Sequence, residues 1–258
     1  RVAATPDDGR QAVRDAGAEG YDVIKVYSGL SFETFSAIVD EARLLKLPVV
    51  GHIPERRSGR TREFFQPGFG MVAHAEEFAQ RDAQPSLAAI PQYVDMMKQN
   101  GAWLTATLSL DERLLEQTKD PKSLHSRPEI RVLPRLMRDM VLNHNPYIAA
   151  ASPQRIEFLA QVVEFNRELV RAFVAAGIPV VAGTDAGVPG VVPGFSMHDE
   201  LEALTRAGMS NRQALEAATR RPCEWLNLLA ECGTVEAGKR ADLILLDADP
   251  LANIGNSR

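Results

Sequence analysis

The sequence predicts a parallel α/β fold, and three observations carry the prediction. Short apolar runs alternate with longer stretches of helical periodicity, as expected of strands joined by crossover helices. The apolar runs end in polar residues (Lys25, His52, His74, Thr105 and Asp185), at the strand ends where parallel sheets gather their chemistry. A length of 258 residues suits one large α/β barrel or one to two ordinary domains.

The elements follow in order. Thr5-Pro6-Asp7-Asp8 starts a helix: a capping hydroxyl, Pro in the first turn, then acids at the positive end of the dipole. That helix runs to about Ala18, and Gly20 closes it. Asp22–Tyr27 reads as a strand, Ser31 caps a helix ending near Lys46, and Leu47–His52 is the second strand. Pro48 fits only at the beginning of that strand. After an Arg-rich loop, Met71–His74 makes a third strand, followed by a helix from about Ser86 to Asn100 and a strand Ala102–Thr107.

Residues 108–152 are polar, helix-prone and broken by four prolines, so two or three short helices are expected there. An excursion of this length between sheet elements reads as a lid or a substrate-facing insertion. A long helix, Pro153–Ala176, reaches its cap at Gly177, and a fifth strand, Ile178–Gly183, leads into Thr184-Asp185. Helices are expected at about Ser196–Ala207, Ser210–Thr219 and Pro222–Leu229. Ala241–Asp247 is a strand pattern with no helix after it, which assigns it to a different sheet. The expected division is a partial barrel over 1–228 and a strand-bearing segment over 229–258.

Five strands do not close a barrel, which takes eight, and an open arc exposes two apolar edges. Three further strands upstream, or an open doubly wound sheet, would resolve this, and the first makes the chain the C-terminal part of a larger protein.

Composition narrows the partners. The chain is 45% hydrophobic and 24% charged with net charge −5, which suits a globular core and gives no electrostatic case for nucleic acid or a membrane surface. No apolar run is long enough to span a bilayer and no signal peptide is visible, so a cytoplasmic location is expected, although a start at Arg1 is compatible with a removed leader. Cys223 and Cys232 form no metal-type pair, and two unbridged thiols are the expectation.

Two histidines, an aspartate and a lysine converge on one rim, and imidazole with carboxylate suits zinc and its neighbours. Lys25 stands in the apolar run Val23–Val26, where an ammonium is costly to bury. It either snorkels to the rim or becomes chemically active. Tyr27, two residues on, shares a face with Lys25 and is a candidate for substrate contact. His198 in Ser196-Met197-His198-Asp199-Glu200 is a second such candidate, whereas His125 and His144 read as surface residues of the insertion. Arg56, Arg57, Arg60 and Arg62 crowd the loop after His52, where one could clamp a carboxylate.

Ile24-Lys25-Val26-Tyr27, Gly51-His52, Ala73-His74-Ala75-Glu76, Gly183-Thr184-Asp185-Ala186-Gly187 and the tail Gly233-Thr234-Val235-Glu236-Ala237-Gly238-Lys239-Arg240-Ala241-Asp242-Leu243 resemble the amidohydrolase superfamily. The similarity is greatest to its imidazolonepropionase-like and prolidase-like branch. It implies strands four to eight of a (β/α)8 TIM-like barrel plus the C-terminal part of a small β-sandwich. It implies one or two divalent metal ions, zinc being the expected one. Lys25, carboxylated by CO2, would bridge the metals, His52 and His74 would bind one ion, and Asp185 would bind the other and move the proton of the attacking water. The implied activity is hydrolysis of amide, peptide or cyclic amide C–N bonds in a small molecule, by a homo-oligomer. The chain departs from the pattern in one respect: the His-x-His of the family's first strand is missing, since none of the five histidines lie two apart. A non-catalytic fragment is therefore one alternative, and a Schiff-base lyase acting through Lys25 is another.

Overall fold

The computed structural model describes residues 1–258. Five short strands form a sheet in chain order, β1 (Ile24–Val26), β2 (Val49–Gly51), β3 (Phe69–Ala73), β4 (Trp103–Thr105) and β5 (Val180–Val181). The chain divides into two compact units, one of Arg1–Thr105 with Ala175–Pro179 and one of Ala106–Val174 with Val180–Arg258.

In the first unit, β1 through β4 run parallel, with Val26 beside Gly51, Gly51 beside Val72 and Ala73 beside Thr105. Helix α1 (Pro6–Ala18) begins as its sequence predicts, with the Thr5 hydroxyl accepting from Asp8 N–H and the Asp8 carboxylate accepting from Thr5 N–H. Helix α2 (Phe32–Leu44) is capped by Ser31, and Arg14 of α1 grips Glu41 of α2 through two N–H donors at 2.8 and 3.2 Å. The core behind the sheet is aromatic. Phe35 packs edge-on against Phe64 and Phe69, and all three are fully buried. After β3 comes a short helix the sequence reading had not separated, α3 (Glu76–Ala79), and then α4 (Ile90–Asn100), which ends at Gly101 in the left-handed conformation.

In the second unit, the insertion is more helical than expected. It holds α5 (Leu108–Lys119), α6 (Ser123–Ser126), a 3₁₀ turn (Pro128–Val132), α7 (Arg135–Asn143) and α8 (Pro146–Ala149) before the long α9 (Pro153–Ala175). Each proline opens or precedes a segment rather than leaving a loop, because Pro is tolerated in a helix's first turn. The insertion shares small cores with α9 and with the segment after β5. Leu110, Leu114, Leu159 and Val191 form one; Leu124, Ile130, Leu133, Val141 and Val192 form another. Helices α10 (Phe195–Arg206), α11 (Asn211–Ala218) and α12 (Arg220–Trp225) follow β5.

One expectation for the tail is corrected, and another, the tail strand, meets no partner in this chain. Cys223 and Cys232 are joined in a disulfide, not left as thiols. The turn after α12 brings them together: Leu228 N–H donates to the Cys223 carbonyl, and Cys232 N–H donates to the Leu228 carbonyl. The segment Ala241–Asp247 is not a strand. Its Leu243, Ile244 and Leu245 are exposed, and without a partner an extended segment has no ladder to join. No helix in the chain is long and apolar enough to cross a membrane.

Candidate active site

His52 and His74 stand at the C-terminal ends of the neighbouring strands β2 and β3. Their ring centroids are 5.0 Å apart, and both residues are buried. Gly51 makes the first placement possible. Its φ is +137°, and a Cβ there would lie 2.2 Å from the carbonyl oxygen of Val26. The close approach lets His52 N–H donate to that same carbonyl at 3.0 Å, which turns the imidazole onto the sheet end. His74 leaves β3 at φ +78°, its N–H held at 2.9 Å by the Thr105 carbonyl.

A carboxylate lies behind His52. Glu77 of α3 is fully enclosed; its Oε1 is 2.8 Å from His52 Nδ1 and accepts from Arg56 Nη2 at 2.9 Å. Its Oε2 accepts from Ile53 N–H at 3.0 Å and from Arg81 Nη2 at 3.1 Å. Burial alone would push this carboxyl up, but His52, Arg81 and Arg56 more than offset it and hold Glu77 below the ordinary range. The sequence reading missed Glu77 and Arg81. Their signal was an acid three residues after His74 and an arginine one helical turn further on.

Tyr27 stacks on the His52 ring with centroids 4.6 Å apart, and Lys25 Nζ stands 4.9 Å from the Tyr27 centroid. Lys25, Tyr27, His52 and His74 are therefore brought together. Of the two readings of Lys25, snorkelling to the rim or chemical activity, its exposure in β1 accords with the first.

Asp185 and His198 belong to the second unit. Asp185 is exposed, at φ +47°, in the turn after β5. That turn is buttressed by the insertion, where Gln117 Nε2 donates to the Pro189 carbonyl at 2.9 Å. His198 sits in α10 with Nδ1 3.0 Å from the Ser257 hydroxyl; burial, and then the charge of Arg258, lower its pKa. Glu200, two residues after His198, is fully buried and accepts from Leu108 N–H and Ser109 N–H at 3.1 and 2.7 Å. His125 and His144 lie in the insertion, His144 beside Asp139. Arg60 is paired with Glu63 and Glu55 rather than free to bind an anion.

Metal fit rests on this donor set. No three His, Cys, Asp or Glu side chains gather into a group able to hold an ion. Two neighbouring imidazoles, one backed by a carboxylate, are ligands of the type that zinc takes.

The Amidohydrolase family model matches residues 14–257. Imidazolonepropionase of Caulobacter vibrioides is 34% identical over 110 residues, which is 41% of this chain and 27% of that protein. Imidazolonepropionase of Rubrobacter xylanophilus is 41% identical over 83 residues, 30% of this chain and 19% of that protein. Among solved structures, a prolidase complexed with N-methylphosphonate-L-proline has a TM-score of 0.70 at 22% identity, over 99% of this chain and 55% of that one. A Xaa-Pro dipeptidase with bound methionine has a TM-score of 0.68 at 21% identity, over 99% of this chain and 56% of that one. The chain thus spans a little over half of these solved chains and about a quarter of the Caulobacter enzyme. The structural likeness establishes a shared α/β architecture, and the family match over nearly the whole sequence establishes that this chain belongs to the amidohydrolase family.

Proposed function

We propose that this chain carries the Lys25–His52–His74 part of a divalent-metal centre in a hydrolase that cleaves C–N bonds of small amides, peptides or cyclic amides. The observation that carries the proposal is the pair of buried imidazoles, 5.0 Å apart at adjacent parallel strand ends, in a member of the amidohydrolase family. In this reading β1 to β5 are the fourth to eighth strands of a (β/α)8 barrel.

A divalent ion, zinc in the first instance, would supply Lewis acidity that activates water and polarises the scissile carbonyl. His52, with Nδ1 engaged by Glu77, offers Nε2 as a donor, and His74 offers a second imidazole. Lys25 as its carbamate would add oxygen donors and replace a cation by an anion. Tyr27 presents a hydroxyl on the same face and is assigned to substrate. Asp185 is assigned the proton: an exposed carboxylate on a buttressed turn can accept one from water and return it to the leaving nitrogen. His198 is kept as a substrate contact through Nε2, since Ser257 occupies Nδ1. The substrates in this reading are small molecules, and the assembly is a homo-oligomer.

A second reading has the chain binding metal without turnover, because its own His, Cys, Asp and Glu residues nowhere gather in threes. Zinc competition against a chromophoric chelator, with hydrolysis of a dipeptide and cyclic-amide panel in parallel, tests both. The proposal expects His52→Ala and His74→Ala each to weaken zinc binding by more than about 10-fold. Unchanged binding in both variants would contradict it, and zinc binding without metal-dependent hydrolysis would favour the second reading.

A further inference from the structure

Glu77 touches both histidines. Its carboxylate meets His52 Nδ1 at 2.8 Å, and its backbone N–H donates to the His74 carbonyl at 3.3 Å. An ionised carboxylate is acceptor-only, with about four lone-pair positions. Three of the partners of Glu77 are obligate donors: Arg56 Nη2, Ile53 N–H and Arg81 Nη2. A carboxylate held by three donors and enclosed without solvent accepts from the fourth partner as well. His52 Nδ1 therefore carries a hydrogen, and in the neutral ring the lone pair is on Nε2.

The charge is provided for. Arg81 is itself buried, and it is locked by donating Nε to the Glu77 carbonyl at 2.7 Å and Nη1 to the Pro54 carbonyl at 3.1 Å. Pro54 and Ile53 follow His52 directly, so the same arginine and carboxylate fix the backbone leaving β2. Tyr27 closes one face of the ring by stacking. The imidazole is thus held by its Nδ1 edge and by one face, with its Nε2 edge left for a ligand.

We propose that Glu77, held by Arg81, is the positioning residue of this site: it selects the Nδ1–H tautomer of His52 and orients Nε2 as a donor beside His74. The use of that donor for a metal rests on the function proposed above, whereas the tautomer does not.

The test is nitrogen-15 NMR of the histidines in the whole metal-free chain, at about pH 9, above the ordinary imidazole range, with His52 assigned by His52→Gln. The wild type is expected to show His52 as a single Nδ1–H tautomer, and Glu77→Gln to shift it towards a mixture. Zinc binding by Glu77→Gln is expected to weaken by about 10- to 100-fold with circular dichroism unchanged. A wild-type His52 carrying its hydrogen on Nε2 overturns the proposal, whatever the variant does. So does a folded Glu77→Gln with the wild-type tautomer and zinc affinity. If Glu77→Gln does not fold, the wild-type tautomer and Arg56→Ala, which removes an exposed partner only, decide the matter: Nδ1–H in both supports it. A wild type that shows the Nδ1–H tautomer but binds no zinc upholds the positioning role and defeats the metal-centre reading instead.

Discussion

Gly51 and Glu200 show how single residues hold this architecture. At Gly51 the backbone adopts φ +137°, and a Cβ would fall 2.2 Å from the Val26 carbonyl oxygen, so β1 and β2 would have to part. Gly51→Ala is expected to cost about 3 kcal/mol or more and to loosen His52, measured by urea unfolding. Glu200 is enclosed, and burial pushes its carboxyl up to about 7 from 4.5, against the N–H groups of Ser109 and Leu108 that favour the charge. The folded state therefore holds this proton more tightly than the unfolded chain does. Its contribution is complete below pH 4.5 and is lost as pH rises towards about 7, by about 3 kcal/mol in all. Glu200→Gln cannot titrate, so the stability of wild type relative to the variant should fall across that window and level off above it. A flat difference across the window would show that Glu200 is already ionised in the folded state.

At the scale of elements, legibility tracked locality. Helix α1 was readable because Thr5, Pro6 and Asp8 act within one turn, and α9 because its apolar spacing and Gly177 are local signals. His52 and His74 were readable because strand ends are predictable from apolar runs. Glu77 was not: an acid in a four-residue helix looks like a solvated residue until the fold encloses it. An apolar run alone leaves open whether Lys25 reaches the rim, and the structure has it exposed. An apolar run after a turn, such as Ala241–Asp247, makes a strand only beside a partner, and Leu243–Leu245 have no ladder to join in this chain and stay exposed. The cysteine pair illustrates the same limit, because a separation of 9 residues specifies nothing until a turn closes it. Alkylation of the native chain without reductant should label neither Cys223 nor Cys232, and labelling of both would remove the bridge from this account.

At the scale of the molecule, the family match spans residues 14–257 and the fold likeness covers 99% of the chain, so the architecture is secured by agreement across its length. The proposed function rests on fewer atoms. Lys25, Tyr27, His52, His74 and Glu77 form one cluster in the first unit, and Asp185 and His198 belong to the second. The proposed chemistry needs nitrogen donors, a carboxylate for the proton and a polar substrate contact, and each has a residue of the right type. The central claim is that the imidazole pair is a metal site. Crystals of the chain soaked in zinc and measured across the zinc absorption edge test it most directly. The account predicts an anomalous peak about 2.0–2.1 Å from Nε2 of His52 and from a ring nitrogen of His74. No peak there, or peaks only at insertion histidines such as His144 beside Asp139, would contradict it.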